Sequence, residues 1–165
     1  MKTVKAVPIS RENFSRFGTY GSFLDTTGAD NLGGDAVVFY RDMCILPLRD
    51  ATPMGFSPLK VKKHDKIVIS DSEYHNYCCE VMLALDDDVI LHVAPASGGS
   101  YNADTVEAFI VPKGTMTIIN PGVWHGAAYP VHHDTTVMIG LPERTYATDC
   151  TVVPFDGGEQ VEITF

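Results

Sequence analysis

The 165-residue sequence has no long hydrophobic run. No stretch approaches the roughly 20 apolar residues of a membrane span, and the first ten residues lack the apolar segment of a secretory signal peptide. We therefore expect a cytoplasmic protein that does not enter the membrane. The chain is also short for two ordinary domains, so we expect residues 1–165 to form a single domain with one active centre at most.

Basic side chains are few in this sequence. Lysine and arginine number 12 against 21 aspartates and glutamates, which gives a formal net charge of −9. A charge of this sign repels phosphate backbones and anionic membrane surfaces at long range. We expect no nucleic-acid partner and no membrane partner, and the expected ligand is a small molecule.

Cysteine is also scarce, with four residues at Cys44, Cys78, Cys79 and Cys150. In a chain expected to be cytoplasmic they are predicted to stay reduced. Cys78 and Cys79 are neighbours, and neighbouring side chains of a strand point to opposite faces, so the two make a poor disulfide or metal clip. All four are interpreted as buried small hydrophobic residues or incidental thiols.

Long helical repeats are nearly absent, since 14 glycines and 10 prolines interrupt the sequence. Short runs rich in β-branched and aromatic residues, separated by turn-forming clusters, predict strands. The predicted strands are 36–40, 66–69, 79–85, 89–95, 108–111, 115–119, 135–140 and 160–164. Such regular spacing is typical of an all-β sandwich or barrel. One short helix is predicted at 10–17, with Ser10 as its N-cap, and 25–35 is predicted to be a loop.

Two polar clusters carry the candidate chemistry. In the first, Glu73 and His75 are two positions apart, which on a strand places both side chains on one face. Glu80 follows after a short connection and can face them from the antiparallel neighbour. In the second, a strand that begins after Gly114 runs into a Pro-Gly turn that presents His125. We expect Glu73, His75, Glu80 and His125 to meet in one polar pocket.

Two imidazoles and two carboxylates form a donor set that suits a divalent Zn, Mn, Ni, Co or Fe ion. The same groups could also bind a polar ligand directly, with a carboxylate as general base and a histidine as acid. Tyr74 and Trp124 are candidate walls of the substrate pocket, with rim packing as the alternative for Trp124. His92 is a candidate supporting donor in the same pocket, with an ordinary core or edge position as its alternative.

The spacing of the two clusters resembles the two motifs of the cupin superfamily. The first cupin motif is His-x-His, three or four residues and then Glu, and this chain reads Glu73-x-His75-x4-Glu80. The second is Gly, five residues, Pro-x-Gly-x-x-His, and here Gly114 and five residues are followed by Asn-Pro-Gly-x-x-His125. The resemblance implies a single-domain cupin-type antiparallel β-barrel, also called a double-stranded β-helix, around a metal-capable pocket.

A narrower resemblance covers most of the chain. The segments around Glu73-Tyr74-His75 and Val123-Trp124-His125, together with 14–18, 89–95, 107–110 and Gly114, resemble the ureidoglycolate lyase (ureidoglycolate hydrolase) family. The resemblance implies a homodimeric enzyme of allantoin catabolism, a part of purine metabolism. Such an enzyme splits ureidoglycolate into glyoxylate and urea.

Four pocket positions depart from that family's pattern. Tyr74 replaces an arginine, Asn76 a proline, Glu80 a glutamine and Gly126 a second histidine. Losing an arginine and gaining a carboxylate disfavours an anionic substrate such as ureidoglycolate. A bound divalent cation would supply compensating positive charge.

The donor set and the resemblance together predict a metal-dependent carbon–nitrogen lyase. A carboxylate that is not metal-bound, Glu73 or Glu80, would take the proton from a carbinol hydroxyl as the C–N bond breaks, while a pocket acid protonates the departing nitrogen. Two alternatives stay open. A metal-dependent isomerase, epimerase or oxygenase on a sugar acid or keto acid would use the same centre, and a non-catalytic ligand-binding cupin would use the same pocket.

Overall fold

A computed structural model of the chain describes residues 1–34 and 36–165. Its strands are β1 Lys2–Lys5, β2 Val7–Pro8, β3 Gly18–Ser22, β4 Asn31–Gly33, β5 Val38–Tyr40, β6 Met54–Val61, β7 Ile67–Ile69, β8 Asp71–Tyr74, β9 Glu80–Ala84, β10 Val89–Ala94, β11 Glu107–Val111, β12 Thr115–Ile119, β13 Trp124–His125, β14 Tyr129–Pro130, β15 Thr135–Pro142, β16 Thr151–Pro154 and β17 Val161–Thr164. Its helices are α1 Arg11–Phe14 and α2 Thr145–Thr148, with a 3-10 turn at Ala103–Thr105. Within the described ranges, no helix has the length and apolar character needed to cross a membrane.

Two large sheets enclose the main hydrophobic core. One has the strand order β16-β8-β13-β10-β11-β2, with β14 also paired to β10, and the other has the order β3-β12-β9-β15-β6. Leu91 and Val93 from the first sheet pack in one buried cluster with Met82 and Val137 from the second. The two sheets therefore lie face to face, with their apolar sides between them.

A second core covers the other side of the seven-stranded sheet. The three-stranded sheet β1-β17-β7 contributes Ile69 and Ile163, which pack with Ile90 and Trp124. As a result β10 is buried along its whole length. Its sequence, Val-Ile-Leu-His-Val-Ala, is almost continuously apolar, which is typical of a strand covered on both faces.

The all-β prediction is confirmed, and each of the eight predicted runs overlaps a strand. The predicted closed antiparallel barrel is not what the strands form. The described strands make separate sheets joined through side chains of the facing layers, and not one closed ring of hydrogen bonds. Two pairings, β1 with β17 and β2 with β11, are parallel.

The predicted helix is present but short. Ser10 is its N-cap: the Ser10 hydroxyl accepts from the Asn13 main-chain N–H at 3.2 Å, and the Asn13 side chain accepts from the Ser10 N–H at 2.8 Å. This reciprocal capping box fixes where the helix starts. Phe14 then anchors the helix edge-on against Phe109 in the main core. The predicted loop at 25–35 contains β4, which pairs with β5, and its last residue, Asp35, lies outside the described residues.

Candidate metal centre

Four polar side chains converge at the edge of the main core. Glu73, His75, Glu80 and His125 each offer one donor atom, and the four atoms lie within 4.8 Å of one another. Strand pairing explains the convergence, because Glu73 on β8 lies opposite His125 on β13. Glu80 begins β9 in the facing sheet, and its side chain lies on the same face of β9 as that of the core residue Met82. The structure thus brings together the four residues that the two sequence clusters single out.

The Pro-Gly turn before β13 also ties the two clusters together. Gly122 has a φ of 77°, in the left-handed region that glycine adopts without steric strain. Its N–H donates to the carbonyl oxygen of His75 at 2.6 Å. The turn therefore places His125 and His75 in one hydrogen-bonded unit.

Three members of the cluster are buried ionisable groups. The exposed fractions of His75, Glu80 and His125 are 3%, 4% and 1%, whereas Glu73 is partly exposed. Glu80 Oε2 lies 2.9 Å from Nε2 of His75 and 3.2 Å from Nε2 of His125. A carboxylate removed from water at this depth requires positive charge beside it.

The main chain sets the orientation of both imidazoles. Nδ1 of His75 lies 2.7 Å from the carbonyl oxygen of Asp149, and Nδ1 of His125 lies 2.8 Å from that of Val123. A carbonyl oxygen can only accept, so both Nδ1 atoms carry hydrogen and donate. In each neutral ring Nε2 is then a bare lone pair aimed at Glu80. Two such nitrogens and a carboxylate oxygen attract one another only when a proton or a metal cation lies among them.

The charges of the cluster reinforce one another. Burial opposes ionisation of Glu80. The charges and hydrogen bonds of His125 and His75 outweigh this effect and lower the pKa of Glu80 to about 2. Burial also opposes protonation of His125, yet the charge and hydrogen bond of Glu80 prevail and raise its pKa. The pocket therefore stabilises a cation next to Glu80.

Asp149 organises the connection between β8 and β9. Its carboxylate accepts from the main-chain N–H groups of Asn76 at 2.9 Å and Tyr77 at 2.8 Å, while its carbonyl holds the ring of His75. No local sequence signal points to Asp149, because it reaches the connection from the far end of α2. It thereby fixes both the ring of His75 and the main chain that follows it.

Cys150 contacts the cluster directly. Its thiol donates to Glu73 Oε2 at 2.9 Å, and burial together with the Glu73 carboxylate raises the pKa of Cys150 to about 12. All four cysteines are free, as predicted. The interpretation of all four as buried small hydrophobic residues or incidental thiols fails for Cys150, which β16 brings beside β8 and into contact with Glu73.

Tyr74 and Trp124 do not line the pocket as predicted. They alternate with Glu73 and His125 along their strands, so both side chains point into the second core. Their rings contact each other with centroids 4.6 Å apart, and Trp124 is 1% exposed. The correction follows from strand alternation, which places adjacent side chains on opposite faces.

His92 lies behind the sheet as well. It sits between Leu91 and Val93, whose side chains face the main core, and so it points the other way. Its Nε2 is 3.3 Å from the hydroxyl of Ser72. The predicted place of His92 in the substrate pocket is therefore corrected: it is a buried residue on the opposite face of the sheet, and Ser72 is its hydrogen-bond partner.

A cavity of about 380 Å³ adjoins the connection that carries His75. Arg49, Tyr77, Cys78 and Asp149 are among its lining residues, and the guanidinium of Arg49 lies 5.4 Å from the centre of the Tyr77 ring. Asp149 lines this cavity and also contacts His75, so the cavity adjoins the connection behind His75, although none of the four cluster residues is among its lining residues. It is large enough for a small molecule.

No family model and no curated protein sequence matches this chain. Among solved structures, the chain is similar to a dTDP sugar isomerase from Desulfovibrio desulfuricans G20, with 10% identity and a TM-score of 0.49 over 86% of this chain and 87% of the other. It is also similar to WlaRA, a TDP-fucose-3,4-ketoisomerase from Campylobacter jejuni, with 11% identity and a TM-score of 0.39 over 86% of each chain. Both scores are low, so the residues of this chain must carry any conclusion about its chemistry.

Proposed function

We propose that Glu73, His75, Glu80 and His125 bind one divalent transition-metal ion in an enzyme for small oxygen-rich substrates. The observation that supports this most directly is the aim of two Nε2 lone pairs at Glu80, with both Nδ1 hydrogens held by main-chain carbonyls. Two imidazole nitrogens and two carboxylates suit Mn, Fe, Co, Ni or Zn. Such an ion, when bound, supplies Lewis acidity toward a carbonyl or hydroxyl oxygen.

The side chains divide the remaining tasks according to burial. His75, Glu80 and His125 are enclosed and fixed by hydrogen bonds, which suits permanent ligands. Glu73 is partly exposed, so it is the carboxylate that a substrate can reach. We assign Glu73 the role of general base whenever its carboxylate is not bound to the ion, with the Cys150 thiol donating to its Oε2.

The charge of the cluster indicates the kind of substrate. Two carboxylates cancel the formal charge of a divalent ion when both histidines are neutral, so the loaded centre is close to neutral. A neutral centre at the edge of an apolar core favours a neutral hydroxycarbonyl compound over a carboxylate. We therefore favour isomerase or epimerase chemistry on a sugar-like substrate. In the isomerase reaction Glu73 takes a proton from the hydroxyl-bearing carbon beside the carbonyl and returns it to the carbonyl carbon, while the hydroxyl proton passes to the former carbonyl oxygen. In the epimerase reaction a proton returns to the same carbon from its opposite face.

Carbon–nitrogen lyase activity is the second candidate. It is favoured by the pairing of Glu73 with His125, because this pairing joins the two segments that resemble the ureidoglycolate lyase family. Glu73 would take the carbinol hydroxyl proton as the C–N bond breaks, while a pocket acid protonates the departing nitrogen, giving glyoxylate and urea. A homodimer, as the resemblance implies, belongs to this candidate.

Metal analysis of protein purified without added metal tests the centre. We expect about one ion per chain in the wild type and in an exposed-histidine control, His64→Ala, and its loss in His75→Ala and His125→Ala. Unchanged metal content in both cluster variants would reject the site.

Two activity assays on the loaded protein separate the candidates. Incorporation of deuterium from solvent into a panel of aldoses and ketoses detects proton transfer at carbon. Release of urea from ureidoglycolate detects the lyase reaction. A metal-loaded protein that does neither supports the non-catalytic binding role.

A further inference from the structure

A buried polar pair lies on the far side of the seven-stranded sheet from the metal centre. Ser72 is 1% exposed and His92 is 2% exposed. The Ser72 hydroxyl donates to the main-chain carbonyl of His125 at 2.7 Å, and the same oxygen lies 3.3 Å from Nε2 of His92. The pair therefore connects β10 and β8 to the main chain of a candidate ligand on β13.

The hydrogen positions in this pair follow from its contacts. Burial, with a smaller effect of the His125 charge, lowers the pKa of His92 to about 3, so the ring is neutral and carries one N–H. The single Ser72 hydrogen is directed at His125, so Ser72 must accept from His92 Nε2–H. Nδ1 of His92 is then an acceptor, and it has no hydrogen-bond partner in the part of the chain that the structure describes.

Gly126 leaves the space that the His92 ring fills. A Cβ atom at position 126 would lie 2.8 Å from Cε1 of His92, which is too close for either to stay in place. The glycine directly after His125 and the imidazole at position 92 are therefore fitted to each other. β13 has only two residues, so few ladder hydrogen bonds hold His125 by themselves.

Packing explains the size of the His92 ring but not the polarity of Ser72 and His92. The surrounding layer is apolar, with Ile90, Ala94 and Trp124 in the same buried cluster. An acceptor without a partner is destabilising there, and an apolar replacement of similar shape would remove that penalty. The pair thus retains a feature that folding alone would not favour.

We propose that Ser72 and His92 are positioning residues that fix the main chain of His125 and so aim its Nε2 at the metal centre. The inference rests on the proposed metal-binding function. Both side chains act through His125 from the opposite face of the sheet. Their loss should therefore weaken metal binding without a matching loss of stability.

The test uses Ser72→Ala and His92→Leu, with Ile90→Val as a control on the same face of β10. Zn²⁺ affinity is measured by competition with a chromophoric chelator, and thermal unfolding is measured on the metal-free proteins. We expect affinity to fall about tenfold in Ser72→Ala and His92→Leu. We expect His92→Leu to unfold at the wild-type temperature or above, and Ile90→Val to unfold lower with unchanged affinity.

Wild-type affinity in both polar variants would overturn the proposal. A loss of affinity that simply follows the loss of stability across all three variants would also overturn it, because the pair would then be structural only. If the wild type itself binds no Zn²⁺, the proposed function fails, and NMR signals of the His125 ring in the metal-free protein decide the inference. Shifts of those signals in both polar variants and not in Ile90→Val support positioning, and unchanged signals contradict it.

Discussion

Glu73 and His125 lie directly opposite each other on antiparallel strands, although their segments are distant in the sequence. β13, which carries His125, is bounded on its other side by β10, where Val93 is the opposite residue. The candidate centre therefore depends on one register across three adjacent strands. A one-residue slip of β13 would turn His125 into the second core and bring Trp124 into its place.

Glu80→Gln tests the charge at the middle of the cluster. The replacement keeps the size of the side chain but removes the carboxylate that contacts both imidazoles. We expect Zn²⁺ affinity to fall by at least roughly 100-fold, because a buried ligand is lost and not merely a supporting contact. Chelator competition measures the change, and the exposed Glu12→Gln serves as the control. Equal affinity in Glu80→Gln and the wild type would remove Glu80 from the ligand set.

Strand alternation accounts for both the success and the error of the sequence-based site. The rule that places Glu73 and His75 on one face also places Tyr74 on the other, and the same applies to Trp124 beside His125. The contributions of Asp149 and Cys150 could not be predicted in this way. They depend on the pairing of β16 with β8, and a single sequence contains no local signal for a contact between such distant segments.

The fold was predictable where strands are apolar and not where they are exposed. β10 and β12 show clear apolar runs bounded by turns. β6, the eight-residue edge strand, contains Pro58 and Lys60 and is largely exposed, so its pattern does not distinguish it from a loop. Closure into a barrel or separation into facing sheets depends on these edge strands, which is why the barrel prediction failed.

Cys150 is expected to support Glu73 through its S–H donor. Cys150→Ala should weaken Zn²⁺ binding by about tenfold, whereas Cys150→Ser, which keeps a donor, should bind nearly as well as the wild type. Cys44→Ala is the matched control, because the Cys44 thiol contacts the carbonyls of Gly21 and Met116 and none of the four cluster residues. The absorption spectrum of the Co²⁺-loaded wild type provides a second readout. A sulfur-to-cobalt charge-transfer band that disappears in Cys150→Ala would show that the thiol is a ligand and not a support.

Asp87 predicts a pH dependence of stability that does not involve the four residues of the candidate centre. The side chain of Asp87 is 3% exposed, and this burial opposes its ionisation. Its carboxylate accepts hydrogen bonds from the main chain and ring of His132 and from the main chain of His133. These hydrogen bonds prevail and lower the pKa of Asp87 to about 2. Because the folded pKa lies below the unfolded 3.8, the stabilisation is complete above about pH 5 and disappears as the pH falls toward 2.

Asp87→Asn should therefore lower the free energy of unfolding by roughly 2 kcal/mol at pH 7 and by much less near pH 2. Urea unfolding at a series of pH values measures the difference, with the exposed Asp65→Asn as control. A difference that stays constant down to pH 2 would show that the ionised form of Asp87 is not the source of the stabilisation.

Trp124 and its neighbour His125 provide a direct test of which face of the sheet carries function. The Trp124 ring packs against Tyr74 and Tyr101 in the second core, and its Nε1–H donates to the Ser97 hydroxyl at 2.8 Å. Trp124→Phe keeps an aromatic ring and loses this hydrogen bond, so we expect the free energy of unfolding to fall by about 1–3 kcal/mol. Zn²⁺ affinity, and the KM of any activity found in the loaded protein, should not change. A Trp124 that lined the substrate pocket would instead raise KM on substitution, with or without a change in stability, so unfolding and KM measured together decide between the two faces.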